Sequence, residues 1–479
     1  GTNSSAQANV RNAYQAYNGT NYTDVWMLLG DNAYNNGLDT EYGNNFFNVY
    51  EGSLTKNHVL WPAPGNHDYA NTGARQADHQ IPYYDLFSLP TKGEAGGVPS
   101  NSEAFYSYDY GNIHFVSLDS YGWEAGNTRL YDTTGAQATW LKQDLAANKQ
   151  KWTVVYFHHP PYTKGSHNSD TEQELVSLRQ KLVPILERYK VDLVLSGHSH
   201  SYERSFMING HYGLETTFDT TSMAFSNSSG KYDGSANSCL YVKKESDAKN
   251  RIVYAVVGSS GQVNGSTAGY PHNAMQYSNI TNTGALVIEI EGNRLDAKWI
   301  CNDGVSRDQF TIVKEAGKTI DTTIALGSQL VLTATWQGTY QWSNGATTRS
   351  ITVNPATNTS YSVTDGAGCL TDVYNVTVTG AAGIANNGAS AKEANALQAT
   401  ALNVRVAPNP SAGLFFVTLE TNSTDNIVLS VSDLFGRPVH LEKGAPKKVY
   451  NIGRTLAPGM YILRIEQGNK SKTIKIIKQ

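Results

Sequence analysis

Four short clusters of oxygen and nitrogen donors carry the chemistry this chain could do. They are Gly30-Asp31-Asn32-Ala33-Tyr34, Gly65-Asn66-His67-Asp68, His158-His159-Pro160-Pro161-Tyr162, and Gly197-His198-Ser199-His200-Ser201-Tyr202-Glu203-Arg204. Carboxylate, amide oxygen, phenolate and imidazole form a hard-to-borderline donor set that suits iron, zinc or manganese. No cysteine thiolate takes part, which excludes a structural zinc finger. In His-x-His on extended backbone the middle residue points away, so His198 and His200 can face one side and serve one cation each of an adjacent pair. Asp31 can bridge two cations by giving one oxygen to each. Gly30, Gly65 and Gly197 are expected to let the backbone turn sharply beneath them. A cation pair of this kind neutralises anionic oxygens and acidifies a bound water, which is the chemistry of metal-assisted hydrolysis.

Each cluster follows a short apolar run: Val25–Leu29, His58–Pro62, Trp152–Phe157 and Val191–Leu195. With Ile113–Leu118, these β-branched runs read as central strands covered on both faces, and ligand-binding loops gather at the C-terminal edge of such sheets. Two helices interleave with them. One starts near Gly135 and aligns Ala138, Leu141 and Leu145; the other follows a capping-box-like Asp170-Thr171-Glu172-Gln173 and aligns Leu175, Leu178, Leu182 and Ile185. Pro184 is expected to kink the second. Residues 1–314 therefore read as an α/β domain. From about Thr319 the pattern becomes strict alternation (Leu330, Leu332, Ala334; Ile351, Val353; Tyr361, Val363; Tyr374, Val376, Val378), with turns at Ser343-Asn344-Gly345 and Asp365-Gly366. That predicts a small β-sandwich over 315–380. Residues 381–402 are small and polar, the composition of a flexible linker, and 403–479 read as a second β module. From Glu442 onward this module holds nine Lys or Arg against two Glu, which fits either a solvated sheet face or an anionic surface.

The 479 residues carry a net charge of −4, with 37 Lys and Arg against 41 Asp and Glu. A nucleic-acid binder should show a basic excess, so that class is excluded. No run approaches the roughly 18–20 apolar residues of a transmembrane helix. There is no N-terminal apolar signal-peptide core. Of three cysteines, Cys239 and Cys301 can pair within the leading domain while Cys369 lies far downstream; one bridge with a free thiol, or no bridge, both fit.

The blocks GDxxY, GNHD, HHPPY and GHSHSYER, in this order and with DGVSRDQFTIVK at 303–314, resemble the metal-binding blocks of metallophosphoesterases, specifically purple acid phosphatases. The resemblance implies a metallophosphoesterase-type α/β sandwich with a dinuclear centre, Fe(III) beside a divalent Fe, Zn or Mn. By position, Asp31 resembles the bridging carboxylate, Tyr34 the phenolate on the ferric ion and His200 a second ligand of that ion. Asn66, His158 and His198 resemble the ligands of the divalent ion, with His158 preferred to His159 because the family's ligand is the first His of His-x-Pro. His67 resembles the histidine that steadies the phosphate, and His167 the one that protonates the leaving group. Asn66, His67, His159 and His167 would then face the substrate. The family also has an Asp-x-Gly block whose Asp ligates the ferric ion. None precedes Asp31, and Gly1-Thr2 fits the end of such a block, so the resemblance implies a ligand just before residue 1 and a chain truncated there.

At the other end, APNPSAG at 407–413, Leu434-Phe435-Gly436-Arg437 and LAPGMYILRI at 456–465 resemble the sorting domain of bacterial type IX secretion. This implies contact with the secretion machinery, export across the outer membrane, and release or surface attachment. The 315–380 sandwich looks Ig-like. The function implied is a secreted acid phosphatase hydrolysing small phosphate monoesters by attack of a metal-bound hydroxide. The rivals are a phosphodiesterase or nucleotidase on the same metals, and a catalytically dead surface-binding protein. His58, His79 and His114 are expected to be hydrogen-bonded core residues, and Tyr42 and Tyr83 need no metal.

Overall fold

The computed structural model describes residues 1–380 except 53, and residues 403–478 except 408, 412, 421, 422, 434–436, 446–448, 455 and 469. The linker expected at 381–402, and parts of the 407–413 and 434–437 motifs, lie outside the described residues. The chain divides into two compact units, Gly1–Ala381 and Ala382–Gln479.

The parallel strands Ile113–Ser117, Trp152–Tyr156, Leu193–Ser196 and Ile252–Val257 lie side by side at the centre of a seven-stranded sheet. Tyr106–Tyr110 closes one edge, and Tyr202–Ile208 with Met275–Asn279 the other, all antiparallel. Side chains alternate across it. Val154, Tyr156, Leu193 and Leu195 pack with Leu295, Ala297, Phe310 and Ile312 of a second, four-stranded sheet. Val116, Val155, Phe157 and Val194 pack on Leu141, Leu178, Leu182 and Leu186 of the helices. Both faces are thus covered, so these strands carry apolar residues on both faces, with His114, Ser117, Thr153 and Ser196 as polar exceptions; each fully buried Val or Leu contributes ~1.5–3 kcal/mol.

Val25–Leu29 departs from its expectation. The strand there, Trp26–Leu29, pairs only with Leu60–Ala63 and is mostly half-buried, so it is not a central strand of the large sheet. An unexpected helix, Ser5–Asn18, precedes it, capped by Ser4 Oγ accepting from Gln7 N at 3.1 Å.

The helix Ala136–Ala147 buries Ala138, Trp140, Leu141 and Leu145, as its spacing predicts. The next runs Gln173–Ser177 and Val183–Arg188, joined by a π-helical turn, Leu178–Leu182. That wider turn takes in the missing N–H of Pro184, which sits in the first turn of the segment after it. The capping box does not form: Glu172 makes no cap bond, and its carboxylate goes to the site described below.

The alternation after residue 319 becomes a four-stranded sheet (Thr319–Ala325, Thr371–Thr379, Thr359–Thr364, Gln341–Trp342) with the pair Leu330–Thr333 and Ser350–Val353. Leu332, Ala334, Trp336, Trp342, Val363 and Tyr374 are buried together with Leu240, Val313 and Ala316 of the preceding α/β region. Cys239 bonds to Cys369, 130 residues on, and Cys301 is a buried free thiol. The pairing with Cys301 entertained from the sequence is thereby corrected: Cys301 is sealed beside Tyr202 and Trp299. Closing so long a loop is worth roughly 2–5 kcal/mol. Cys369→Ala is therefore expected to lower the Tm of the first unit by several degrees in calorimetry, and reductant is expected to lower wild type but not the variant.

His211 and His272 are fully buried near Tyr162. Both ring nitrogens of His211, and Nε2 of His272, have no hydrogen-bond partner. Burial pulls them down to about 4 and about 3. Both stay neutral when folded while the unfolded chain takes up protons below about pH 6.5, so stability falls as pH drops from there toward 4. His211→Phe is expected to flatten that decline by on the order of 3 kcal/mol at full protonation, read as urea midpoints at pH 7 and pH 4.5.

The second unit pairs a three-stranded sheet (Asn403–Ala407, Phe415–Glu420, Val449–Ile452) with a four-stranded one (Pro438–Gly444, Ile427–Ser432, Gly459–Gln467, Lys470–Lys478). Phe415, Val417, Leu429, Leu463, Ile465 and Ile476 fill the core. The first unit is thus an α/β region, its central sheet covered on both faces, followed by a β-rich region, and the second unit is all-β.

Candidate metal centre

Gly30 leaves the strand Trp26–Leu29 at φ +84°, and a Cβ there would stand 2.4 Å from His158 Nδ1. Gly65 has no positive φ; its need is space, since a Cβ would meet Asp31 Oδ1 at 2.4 Å. Gly197, also without a positive φ, abuts Leu29 O. The sharp turn expected at all three is thus confined to Gly30. The other two let loops close on each other.

Asp31 is buried, and its Oδ2 lies 3.2 Å from His158 Nε2 and accepts from Tyr34 Oη at 2.6 Å. Oδ1 accepts from His67 N at 3.0 Å. Asn66 Oδ1 is 3.1 Å from His158 Nε2 and 3.1 Å from His198 Nδ1, and those two nitrogens are 3.2 Å apart. Donors 2.0–2.2 Å from one cation stand about 3.0–3.5 Å from each other, so this spacing fits a shared ion. Leu29 O, which only accepts, lies 2.8 Å from His158 Nδ1, so the ring proton sits there and Nε2 is the coordinating atom. Tyr34 Oη is 2.8 Å from His200 Nε2. The amides of Gln262 and Asn264 reach His200 Nδ1 at 2.9 and 2.8 Å; with an amide oxygen turned in, Nδ1 keeps the proton and Nε2 the lone pair.

Electrostatics fit a cation too. Burial brings His198 down to about 3 and His200 to about 4, so both are neutral and carry lone pairs. Burial tends to raise the Asp31 carboxyl, but the charge and hydrogen bond of His158 hold it well below the usual range. A cation would replace the proton that His158 otherwise shares with Asp31.

His67 stacks on Tyr34 at 4.3 Å, with Nδ1 2.7 Å from Asn35 O. His159 is buried; its Nδ1 is 2.8 Å from Ser120 Oγ and its ring lies 4.3 Å from His198. His158, His159 and His198 place ligand atoms within 4.8 Å of one another, as do His167, Glu172 and His198. His167 stacks on His198 at 3.7 Å, and its Nδ1 is 2.9 Å from Glu172 Oε2. Burial works to raise Glu172, but its bonds to His167 and His198 win and hold it well below the carboxylate range. All nine predicted residues thus gather in one place.

Sequence reasoning missed Glu172, read as a helix cap, and Glu203. Glu203 is fully buried and accepts from Thr163 Oγ1, Ser201 Oγ, Lys164 N and Gly165 N, tying the 163–167 loop to the His198–Ser201 loop. A buried charge inside GHSHSYER was the available signal. His114 bridges Asp109 and Asp144 in the core, Tyr42 donates to Asp68 and Tyr83 to Pro62 O, as structural residues.

Residues 6–202 match the model of the calcineurin-like phosphoesterase family, and residues 405–479 that of the secretion system C-terminal sorting domain. The chain carries a calcineurin-like phosphoesterase domain and ends in a sorting domain for type IX secretion, which marks it for the cell surface or the medium. Its relatives include purple acid phosphatases. Purple acid phosphatase 23 of Arabidopsis thaliana is 38% identical over 125 residues, covering 26% of this chain and 24% of its own. Purple acid phosphatase 21 of the same plant is 36% identical over 192 residues, 38% of each chain. A purple acid phosphatase from yellow lupin (Lupinus luteus) seeds aligns over 65% of this chain and 49% of its own, at 18% identity and a TM-score of 0.40. The chain spans about a quarter of the length of the first curated relatives it matches. No helix among the described residues is long and apolar enough to cross a membrane.

Proposed function

We propose that this protein is an exported phosphatase that hydrolyses small phosphate monoesters at a dinuclear metal centre. The observation that carries the reading is the convergence of Asp31 Oδ2, Asn66 Oδ1, His158 Nε2 and His198 Nδ1 at 3.1–3.2 Å contacts, with Tyr34 and His200 alongside. Asn66, His158 and His198 would hold a divalent ion (Fe, Zn or Mn), Tyr34 and His200 a ferric ion, and Asp31 both. When bound, the two cations supply charge neutralisation for phosphate oxygens and an acidified water as nucleophile.

The chain's own residues do the rest. His67 Nδ1–H donates to Asn35 O, so the ring meets a phosphate oxygen through Nε2 when that atom also carries a proton. His159, fixed by Ser120, walls the centre beside His198. His167, backed by Glu172, delivers a proton to the departing alkoxide from Nε2. In the same reading, 1–314 is the catalytic region, 315–380 an Ig-like module, 381–402 a linker and 403–479 the secretion module.

The test is a visible spectrum of the iron-loaded protein together with phosphate release from a monoester and a diester. A broad ferric–phenolate band that disappears in Tyr34→Phe, with faster release from the monoester, is expected. A faster diester reaction would overturn the substrate class. Bound metal with no phosphate release from either ester would overturn the enzyme.

A further inference from the structure

A second group of ligand-type side chains stands apart from this centre. His79 follows the short helix Gly73–Asp78, and Asp119 and Glu124 lie in the loop after Ile113–Ser117. We propose that His79, Asp119 and Glu124 form an additional divalent-cation site that fastens these two loops together. Each brings a potential ligand atom within 4.8 Å of the other two. Three donors evenly spread at about 2.1 Å from one ion stand at most about 3.6 Å apart, so side-chain movements of up to about 0.7 Å each close the site.

The state of each group points to a missing cation. His79 Nε2 is 2.9 Å from Trp123 O, a pure acceptor, so the proton sits on Nε2 and Nδ1 keeps its lone pair. Asp119 is fully buried; Tyr69 Oη donates to one oxygen, and the N–H groups of Tyr121 and Gly122 to the other. Those three donors are neutral. Glu124 Oε1 is sealed from solvent and has no hydrogen-bond partner. Among the described residues no lysine or arginine forms an ion pair with Asp119 or Glu124. Two carboxylates withdrawn from water side by side need a counter-charge. Without one, burial and then the Asp119 charge push Glu124 up to about 8. One imidazole nitrogen with two carboxylates suits zinc or manganese rather than calcium, which takes six to eight oxygens.

The placement gives the ion a job. Tyr121, between Asp119 and Glu124, donates to Asn71 Oδ1 at 2.9 Å and stacks on His159 at 5.6 Å. Asn71 N in turn donates to Asn66 O. An ion on His79, Asp119 and Glu124 thus holds a wall of the main centre without touching it. The inference does not depend on what that centre hydrolyses.

The experiment uses the full chain, stripped of metal and equilibrated with micromolar free Zn²⁺. Ions per chain are counted by elemental analysis in wild type and in Glu124→Gln, and wild-type crystals grown in the same buffer are mapped by anomalous scattering at the zinc edge. The expected result is one ion fewer in the variant and an anomalous peak between His79, Asp119 and Glu124. Equal counts, or no peak there while the Asp31 centre shows one, would overturn the proposal. A peak there with an empty Asp31 centre would sustain this site and count against the dinuclear reading. Should Glu124→Gln fail to fold, His79→Gln, at a half-buried position, removes the nitrogen ligand and is read the same way.

Discussion

His198→Ala is expected to lose one of the two cations and at least about 100-fold in kcat/KM. Loss of a residue that merely supports a ligand costs 10–100-fold, and His198 is proposed as a ligand itself. Its Nδ1 lies 3.1 Å from Asn66 Oδ1 and 3.2 Å from His158 Nε2, so its removal leaves the donors of Asn66, His158 and Asp31 and an open side. The alanine also removes the face on which the His167 ring stacks at 3.7 Å. Two readouts separate these effects. Elemental analysis should give one metal per chain instead of two, and added Zn²⁺ or Mn²⁺ in the millimolar range should restore part of the activity. Unchanged metal content would remove His198 from the ligand set and shift the site to His158 and His159, whose rings are 4.9 Å apart. The Tyr34–His200 pair, whose Tyr34 Oη donates to Asp31 Oδ2, should keep its ferric band throughout.

Those candidate ligands stood out in the sequence because each is a donor at the end of a short apolar run, and because four such blocks occur in order. The parallel strands Ile113–Ser117, Trp152–Tyr156 and Leu193–Ser196 were legible because, buried on both faces, they leave short runs dominated by apolar residues on both sides of the pleat. What failed involved partners far away in sequence. Nothing within Val25–Leu29 says that its strand pairs with Leu60–Ala63 alone, since pairing is decided by residues dozens of positions away. The helix Ser5–Asn18 buries only Gln7, Val10 and Ala13, too thin an apolar stripe to read. Cys369 meets Cys239 because the β-sandwich folds back on Leu240 and Val313, a contact that no spacing encodes. Glu172 was misread because Asp-x-x-Gln before an apolar run, with Glu172 inside it, has a local explanation in capping, and the local explanation was the wrong one.

That misreading bears on the prediction that best separates the roles within the site. His167→Ala is expected to slow alkyl phosphates about 10²–10⁴-fold, the usual range for general acid catalysis, and nitrophenyl phosphate by far less. A nitrophenolate departs without a proton, whereas an alkoxide needs one as the P–O bond breaks. Glu172 Oε2, 2.9 Å from His167 Nδ1, accepts from Nδ1–H and so stabilises the imidazolium whose Nε2–H is the proton given to the leaving group. Asn168 N donates to the other carboxylate oxygen at 2.7 Å, which keeps Glu172 from turning away. Glu172→Gln should therefore show the same leaving-group bias in weaker form: an amide can still hold Nδ1–H but no longer stabilises an imidazolium. Equal losses on both esters in His167→Ala would reduce His167 to a packing partner of His198, and Glu172 with it. If the bias appears in His167→Ala but not in Glu172→Gln, the acid stands and Glu172 serves only to hold the 167–172 loop.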